Sequence, residues 1–100
     1  MTNCIFFNSY KLKKGVSIDE FLLVAEQLNK EHISKQKGYI SSEIAVDGDT
    51  WSDFTRFETM EDAKNFAQAS DPNGIAEKFY SFINFNSCVT RFFEVTKSYN

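Results

Sequence analysis

The chain begins with a run in which large apolar side chains occupy both alternating faces. Within residues 4–11 (CIFFNSYK), Cys4, Phe6 and Tyr10 share one face and Ile5 and Phe7 share the other. This composition, ending at the Lys-Lys-Gly break of residues 13–15, predicts a first strand with a turn after it. Because both of its faces are apolar, we expect this strand to be covered on both sides.

A helical period follows. Ser17 and Glu20 match the reciprocal capping pattern, in which each side chain can bond a backbone amide at a helix start. The positions that then recur at helical spacing are Phe21, Val24, Ala25, Leu28 and His32. They predict an amphipathic helix over about residues 17–36, ending at Gly38.

Residues 39–58 return to the two-residue period of strands. Two β-rich runs, residues 39–46 (YISSEIAV) and 50–58 (TWSDFTRFE), are separated by a short Asp-Gly turn. This arrangement predicts a hairpin, so the second and third strands should be antiparallel neighbours.

The rest of the chain predicts a second helix, a short third helical segment and a last strand. Thr59 repeats the capping pattern before Met60, and the helix should stop near the Asp-Pro-Asn-Gly sequence of residues 71–74. Residues 75–83 predict a short extra helix. Residues 87–95 alternate as a strand with large apolar side chains on both faces.

The order strand, helix, hairpin, helix, strand is the βαββαβ order of a ferredoxin-like α+β fold. Right-handed crossovers place the first and third strands at the centre of a four-stranded antiparallel sheet. Helices can cover only one face of that sheet, yet the first and last strands carry aromatic residues on both. A second copy of the chain would cover the other face, so we expect a homodimeric α/β barrel.

Composition and charge narrow the classes of function. One hundred residues with 42% hydrophobic and 25% charged residues predict one folded domain over residues 1–100. A net charge of −3 with scattered basic residues argues against nucleic-acid binding. The N-terminal apolar run is three residues long, so neither a signal peptide nor a membrane span is expected, and we expect a cytoplasmic protein with Cys4 and Cys88 as free thiols.

Short catalytic and metal-binding motifs are absent from the sequence. His32 is its only histidine, and local packing or capping at a helix end is the favoured role. We therefore expect neither a metal nor a cofactor. Asn8, a polar residue in an aromatic strand, needs a partner for its amide, and Trp51 beside the hairpin turn either roofs a ligand cavity or packs across the hairpin.

Three segments of the sequence carry a family resemblance: Gln36 to Ser41, Asp47 to Asp53 and Phe57 to Ala63. They resemble the Gln-x-Gly-aromatic-Ile-Ser, Gly-x-x-Trp and aromatic-Glu-Thr-x-Glu-Asp-Ala patterns of the dimeric α/β-barrel superfamily. The branch is the antibiotic-biosynthesis-monooxygenase-like one, with its small bacterial members of unassigned function. The resemblance spans about residues 3–95.

The resemblance implies a cavity between helices and sheet, where cofactor-independent monooxygenases of the superfamily bind flat aromatic substrates. It makes four residues candidates for ligand contact: Asn8, Tyr10, Trp51 and Arg91. Arg91 has a structural alternative, an ion pair with Asp53 or Glu43 inside the dimer barrel. The haem-degrading branch needs a Trp and an iron-binding His near the second helix, where this chain has Phe66, Ala67 and Glu77, so haem degradation is disfavoured.

Two functions remain open at this point. The first is a cofactor-independent monooxygenase that orients and desolvates a small hydrophobic or aromatic molecule. The second is a non-enzymatic dimeric ligand-binding or structural module. A space between helices and sheet filled by Phe6, Phe66 and Phe79, with no cavity, would favour the second.

Overall fold

The computed structural model describes residues 3–71 and 73–99, in which three helices lie on one face of a four-stranded antiparallel sheet. The elements in chain order are β1 (Cys4–Leu12), α1 (Ile18–Glu31), a 3₁₀ turn (Ile33–Lys35), β2 (Tyr39–Asp47), β3 (Thr50–Phe57), α2 (Met60–Gln68), α3 (Ile75–Ser81) and β4 (Ile83–Glu94). The strand order is β2-β3-β1-β4, with the first and third strands at the centre. The predicted ferredoxin-like α+β fold is confirmed.

Both predicted capping patterns start helices. The Ser17 hydroxyl accepts a hydrogen bond from the Glu20 amide at 3.3 Å, and the Thr59 hydroxyl accepts one from the Asp62 amide at 3.0 Å. Pro72, part of the predicted stop of the second helix, lies outside the described residues. Across the described residues, none of the helices is long and apolar enough to cross a membrane.

Helix α1 ends at Glu31, five residues before the predicted end. The backbone leaves the helical region at His32, and the Gln36 side-chain amide donates to the His32 carbonyl at 3.2 Å. That carbonyl would accept from the Gln36 backbone if the helix continued. The side chain therefore replaces the bond that would extend the helix, and the 3₁₀ turn leads into β2.

Strand β4 begins at Ile83, four residues before the predicted start, because a bulge joins two registers of the β1–β4 ladder. Ile83 pairs with Leu12 and is buried, while the register shifts between Ser9 and Lys11. At the shift, the Ser87 hydroxyl accepts from the Lys11 backbone amide at 2.8 Å. The irregular residues inside the strand concealed its start in the sequence.

The two faces of the sheet differ sharply in cover. The helix-covered face carries Cys4, Phe6, Asn8 and Tyr10 of β1 and Trp51, Asp53, Thr55 and Phe57 of β3. The opposite face, called here the open face, carries Ile5, Phe7, Phe54, Arg56, Val89, Arg91 and Phe93. Its aromatic residues stay accessible, with Phe54 at 38% and Phe93 at 45% exposure. The structure thus identifies the face that the helices leave bare.

The core under the helices consists of two clusters. In one, Phe21 is fully buried, stacks on Phe79 at 5.3 Å between ring centroids and meets Trp51 edge-on at 5.2 Å. In the other, Cys4 and Phe57 pack with residues of α2. Residues next to both clusters line the space that separates them, which is where the candidate site lies.

Candidate functional site

A pocket of about 240 Å³ lies between the sheet and the helices. Its apolar wall is formed mainly by Phe6, Leu22, Leu28, Phe66, Phe79 and Tyr80. The three phenylalanines proposed above as possible fillers of this space line it instead. The pocket is thus open to a small, largely apolar molecule.

Asn8 and Asp53 are two of the polar groups at the sheet side of this pocket, which Ser42 and Thr55 also line with hydroxyls bonded to each other. Asn8 and Asp53 are direct partners in the ladder between β1 and β3, and both line the pocket. The Thr90 hydroxyl of β4 donates to Asn8 Oδ1 at 2.6 Å. Because this bond uses the carbonyl end of the amide, the Asn8 N–H groups remain to donate to a bound molecule.

The carboxyl of Asp53 accepts a hydrogen bond from a buried tyrosine, Tyr10. The Tyr10 hydroxyl donates to Asp53 Oδ1 at 2.8 Å, while its ring is sealed in the core. Burial raises the pKa of Asp53 to about 6, and the hydrogen bond from Tyr10 works in the opposite direction. Burial, followed by the nearby charge of Asp53, raises the pKa of Tyr10, so its phenol stays a donor at neutral pH.

Tyr10 and Trp51 support the pocket from behind. Trp51 is buried and packs edge-on against Phe21, and neither Trp51 nor Tyr10 is among the residues that line the pocket. Of the four candidates from the sequence, the structure thus places Asn8 on the pocket wall and Tyr10 one hydrogen bond away. Trp51 lies in the core beside them.

Arg91 lies on the open face, where its ladder partner is Phe7. Asp53 lies on the helix-covered face, because it pairs with Asn8. Residues paired across strands share a face of the sheet, whereas successive residues along a strand alternate between its faces. Arg91 and Asp53 therefore lie on opposite faces, and the ion pair suggested between them is wrong within the chain. For the same reason Arg91 does not share the pocket with Asn8.

The single histidine and the two cysteines are packed against other side chains of the chain. His32 is buried at the end of α1, with its ring 5.8 Å from that of Phe66 and its Nδ1 3.4 Å from the Gln36 amide. Cys4 and Cys88 are free, and burial, the largest cause, raises the pKa of each thiol. In residues 3–71 and 73–99, no three His, Cys, Asp or Glu side chains are grouped as metal ligands.

Asp53 lines the pocket, a placement that was not predicted from the sequence, in which it was only a possible ion-pair partner of Arg91. Strand alternation carried the missing signal, because Asp53 stands two residues from Trp51 and two from Thr55 and must share their face. The partnership with Asn8 depends on the register between β1 and β3, which only the structure gives.

Comparison with known proteins gives similarity in structure alone: no family model and no curated protein matches the sequence. SnoaB, a cofactor-independent oxygenase from Streptomyces nogalater, matches with a TM-score of 0.78 and 9% identity, over 96% of this chain and 95% of its own. A dimeric protein of unknown function and ferredoxin-like fold from Bacteroides fragilis matches with a TM-score of 0.66 and 17% identity, over 93% and 96%.

A hydroxynitrile lyase from Passiflora edulis also matches, with a TM-score of 0.70 and 14% identity, over 98% of this chain and 97% of its own. Identities this low define the fold and leave the chemistry open. The chain therefore has a ferredoxin-like fold, which it shares with SnoaB and with proteins described as putative antibiotic biosynthesis monooxygenases.

Proposed function

We propose that this protein is a homodimeric, cofactor-independent monooxygenase that binds a small aromatic molecule in the pocket between helices and sheet. The observation that carries the proposal is the pocket itself, an aromatic cavity in which one amide and one carboxyl, Asn8 and Asp53, face the same space from adjacent strands. Apolar walls suit a flat ring, and the two polar groups suit one oxygen or one acidic hydrogen on it.

In a cofactor-independent oxidation the protein mainly orients the substrate and excludes water. A ring whose activated CH₂ group loses a proton becomes electron-rich enough to react directly with O₂. One oxygen atom then forms the new C=O group and the other leaves as water, which balances the reaction CH₂ + O₂ → C=O + H₂O. The Asn8 N–H groups would stabilise negative charge on the substrate oxygen as it develops.

The structural neighbours support this proposal at the level of fold. SnoaB is a cofactor-independent oxygenase, so a ferredoxin-like chain of similar length is compatible with chemistry that needs no cofactor. The hydroxynitrile lyase has the same fold and another activity. The residues of the pocket, rather than the fold, therefore determine which reaction such a chain can support.

The open face supports the homodimer. Phe7 contacts Phe54 at 5.2 Å and Phe93 at 5.8 Å between ring centroids, which makes a continuous aromatic patch across three strands. Water-exposed patches of this kind in small proteins mark interaction surfaces. The neighbour from Bacteroides fragilis, which is dimeric, has the same fold.

One row across the open face is complementary to itself. Glu43 of β2, Phe54 of β3, Phe7 of β1 and Arg91 of β4 are successive ladder partners, so opposite charges end a row with an aromatic centre. Two sheets stacked about a two-fold axis parallel to the strands would run this row in opposite directions. Glu43 would then meet Arg91 of the partner subunit, and the phenylalanines would meet each other.

The experiment is oxygen uptake by metal-free protein with a panel of anthrones and quinols. We expect uptake above the uncatalysed rate for at least one compound, unchanged by a chelator and without added flavin. A broad panel that shows neither turnover nor binding would remove the proposal.

A dimeric ligand-binding module is the second candidate. The observation in its favour is that the polar groups at the sheet side of the pocket are engaged in hydrogen bonds within the chain, as Asn8 is with Thr90 and Asp53 is with Tyr10. Saturable binding of panel compounds without oxygen uptake would select this candidate.

A further inference from the structure

We propose that Asp53 is the catalytic base of the site, accepting a proton from a neutral bound molecule, and that Tyr10 is the positioning residue that holds it. This inference rests on the proposed function and names the group that starts its chemistry. It stands on the placement of the carboxyl, on the charges around it and on the pocket that it faces.

The carboxyl of Asp53 has one oxygen occupied and one available. Tyr10 donates to Oδ1 at 2.8 Å, and Asp53 lines the pocket. Across the described residues, no fully buried side-chain oxygen or nitrogen lacks a hydrogen-bond partner. Oδ2 has no hydrogen-bond partner among residues 3–71 and 73–99, so it is not sealed from the pocket that Asp53 lines and is within reach of a ligand.

The groups around Asp53 are acidic or neutral. Burial raises the pKa of three nearby groups, and the negative charge of Asp53 raises each pKa further: Tyr10 of β1, Tyr80 of α3 and Cys88 of β4. Glu26 of α1 is another acidic residue that lines the pocket. Glu43 borders the pocket at the β2 edge, and its pairing with Phe54 places its side chain on the open face. Of the described residues that line this pocket, none is Lys, Arg or His.

This charge pattern selects the kind of ligand. An anion would enter next to a carboxylate with no cation to compensate, which is unfavourable in a site of low dielectric. A neutral molecule with an acidic C–H or O–H group brings no such cost. The proton moves to Asp53 Oδ2 and the electron pair stays on the ligand, so the negative charge is transferred across the pocket and its total is unchanged.

The basicity of Asp53 fits that role. With a pKa of about 6, the carboxyl is mainly ionised at pH 7, yet it binds a proton more tightly than an ordinary aspartate. Tyr10 fixes Oδ1, which leaves Oδ2 directed to the ligand. Asn8, across the ladder, donates to the ligand oxygen where the negative charge arrives.

The test compares Asp53→Asn, Tyr10→Phe and the control Asp47→Asn, which changes an exposed carboxyl at the end of β2. With an anthrone as substrate, we expect kcat/KM of the unaltered protein to rise with pH, with a midpoint near pH 6 and a plateau above about pH 7. Asp53→Asn should lower kcat about 10²–10⁴-fold and remove that dependence. Tyr10→Phe removes a bond that lowers the pKa of Asp53, so it should move the midpoint to higher pH, while Asp47→Asn should change neither.

Binding supplies a readout that does not need turnover. We expect 2-naphthol, a neutral donor, to bind at least tenfold more tightly at pH 7.5 than 2-naphthoate, the anion on the same ring, and Asp53→Asn to reduce that ratio. Equal affinity for both probes, or a ratio that Asp53→Asn leaves unchanged, would overturn the inference.

The two proposals can fail separately. Discrimination between the probes without oxidation of any anthrone removes the monooxygenase and leaves Asp53 as the residue that selects neutral donors. Oxidation at an undiminished rate and with an unchanged pH profile in Asp53→Asn removes Asp53 as the base and leaves the monooxygenase. Both proposals are supported if Asp53→Asn loses anthrone oxidation and also loses the preference for 2-naphthol over 2-naphthoate, while its circular dichroism is unaltered.

Discussion

Asn8 and Asp53 are direct partners in the ladder between β1 and β3, and both side chains face the pocket under the helices. One offers N–H donors and the other a carboxylate oxygen, so a ligand between the sheet and the helices meets a donor and an acceptor on neighbouring strands.

Removing the Asn8 amide should weaken ligand binding without dissociating the dimer. We expect Asn8→Ala to lower the affinity for 2-naphthol about fivefold to tenfold, because one hydrogen bond is worth about 1 kcal/mol. Thr90→Val is the matched control, since it removes the bond between Thr90 and Asn8 and keeps the amide. Titration by fluorescence or calorimetry measures both, and an equal loss in the two variants would show that the amide acts only through Thr90.

A charge placed in the aromatic patch should dissociate the dimer. Phe54 lies 5.2 Å from Phe7 on the open face, so Phe54→Asp would bury an unpaired carboxylate between two sheets. Light scattering should give twice the chain mass of 11.5 kDa for the unaltered protein and one chain mass for the variant at micromolar concentration.

Phe85→Asp is the control for that experiment. Phe85 is 60% exposed and contacts Tyr80 of α3, so it belongs to the helix side of the molecule. We expect this variant to remain dimeric. A monomeric unaltered protein, or equal dissociation by both substitutions, would contradict the pairing through the open face.

The charged ends of the self-complementary row predict a charge-reversal experiment. Glu43→Arg and Arg91→Glu should each weaken the dimer, because like charges would then face each other across the interface. The double variant restores opposite charges in the reverse order, so its dissociation constant should return to within a few-fold of the original. Sedimentation equilibrium measures all four proteins. A double variant weaker than both single variants would exclude this orientation of the sheets.

Asp53 should make folding stability depend on pH. Its pKa is about 6 in the folded chain and 3.8 ordinarily, so the folded state holds a proton that the unfolded chain releases as pH rises from about 4 to 6. Stability from this group is therefore highest below pH 4 and falls across that window. At about 1.4 kcal/mol for each pKa unit, the loss is about 3 kcal/mol.

Asp53→Asn lacks that titration and retains an oxygen that can accept from Tyr10. The free energy of unfolding of the variant, minus that of the unaltered protein, should rise by about 3 kcal/mol between pH 3.5 and pH 7. Urea unfolding at a fixed protein concentration measures the difference, because dimerisation contributes to stability. A difference in unfolding free energy that does not change with pH would show that folding does not raise the pKa of Asp53.

The sequence predicted the fold well because its signals are local. Ser17 and Thr59 cap the helices, the Asp-Gly turn makes the hairpin, and alternation divided β1 into the faces that the structure shows. The end of α1 was missed because the Gln36 side chain replaces a backbone bond at His32. A side-chain hydrogen bond that takes the place of a backbone one leaves no periodic pattern in the sequence.

The site was predicted less well, because it depends on register between strands distant in sequence. Asn8 was identified from its polarity among aromatic neighbours. Arg91 was grouped with it wrongly, since the face of a β4 residue follows from its pairing with β1 and from a bulge near Ser87. Asp53 gains its role from Tyr10, more than forty residues away along the chain, and only the folded sheet brings the two together.

The central claim is that ligand binds on the helix-covered face and that the open face pairs with a second copy. The most direct measurement is a titration of ¹⁵N-labelled protein with 2-naphthol, following the side-chain amide of Asn8 and the backbone amides of Asp53 and Phe93. We predict saturable shifts at Asn8 and Asp53, and none at Phe93 on the open face. Saturable shifts at Phe93 that leave Asn8 unmoved, or no saturable shifts at all, would contradict the account.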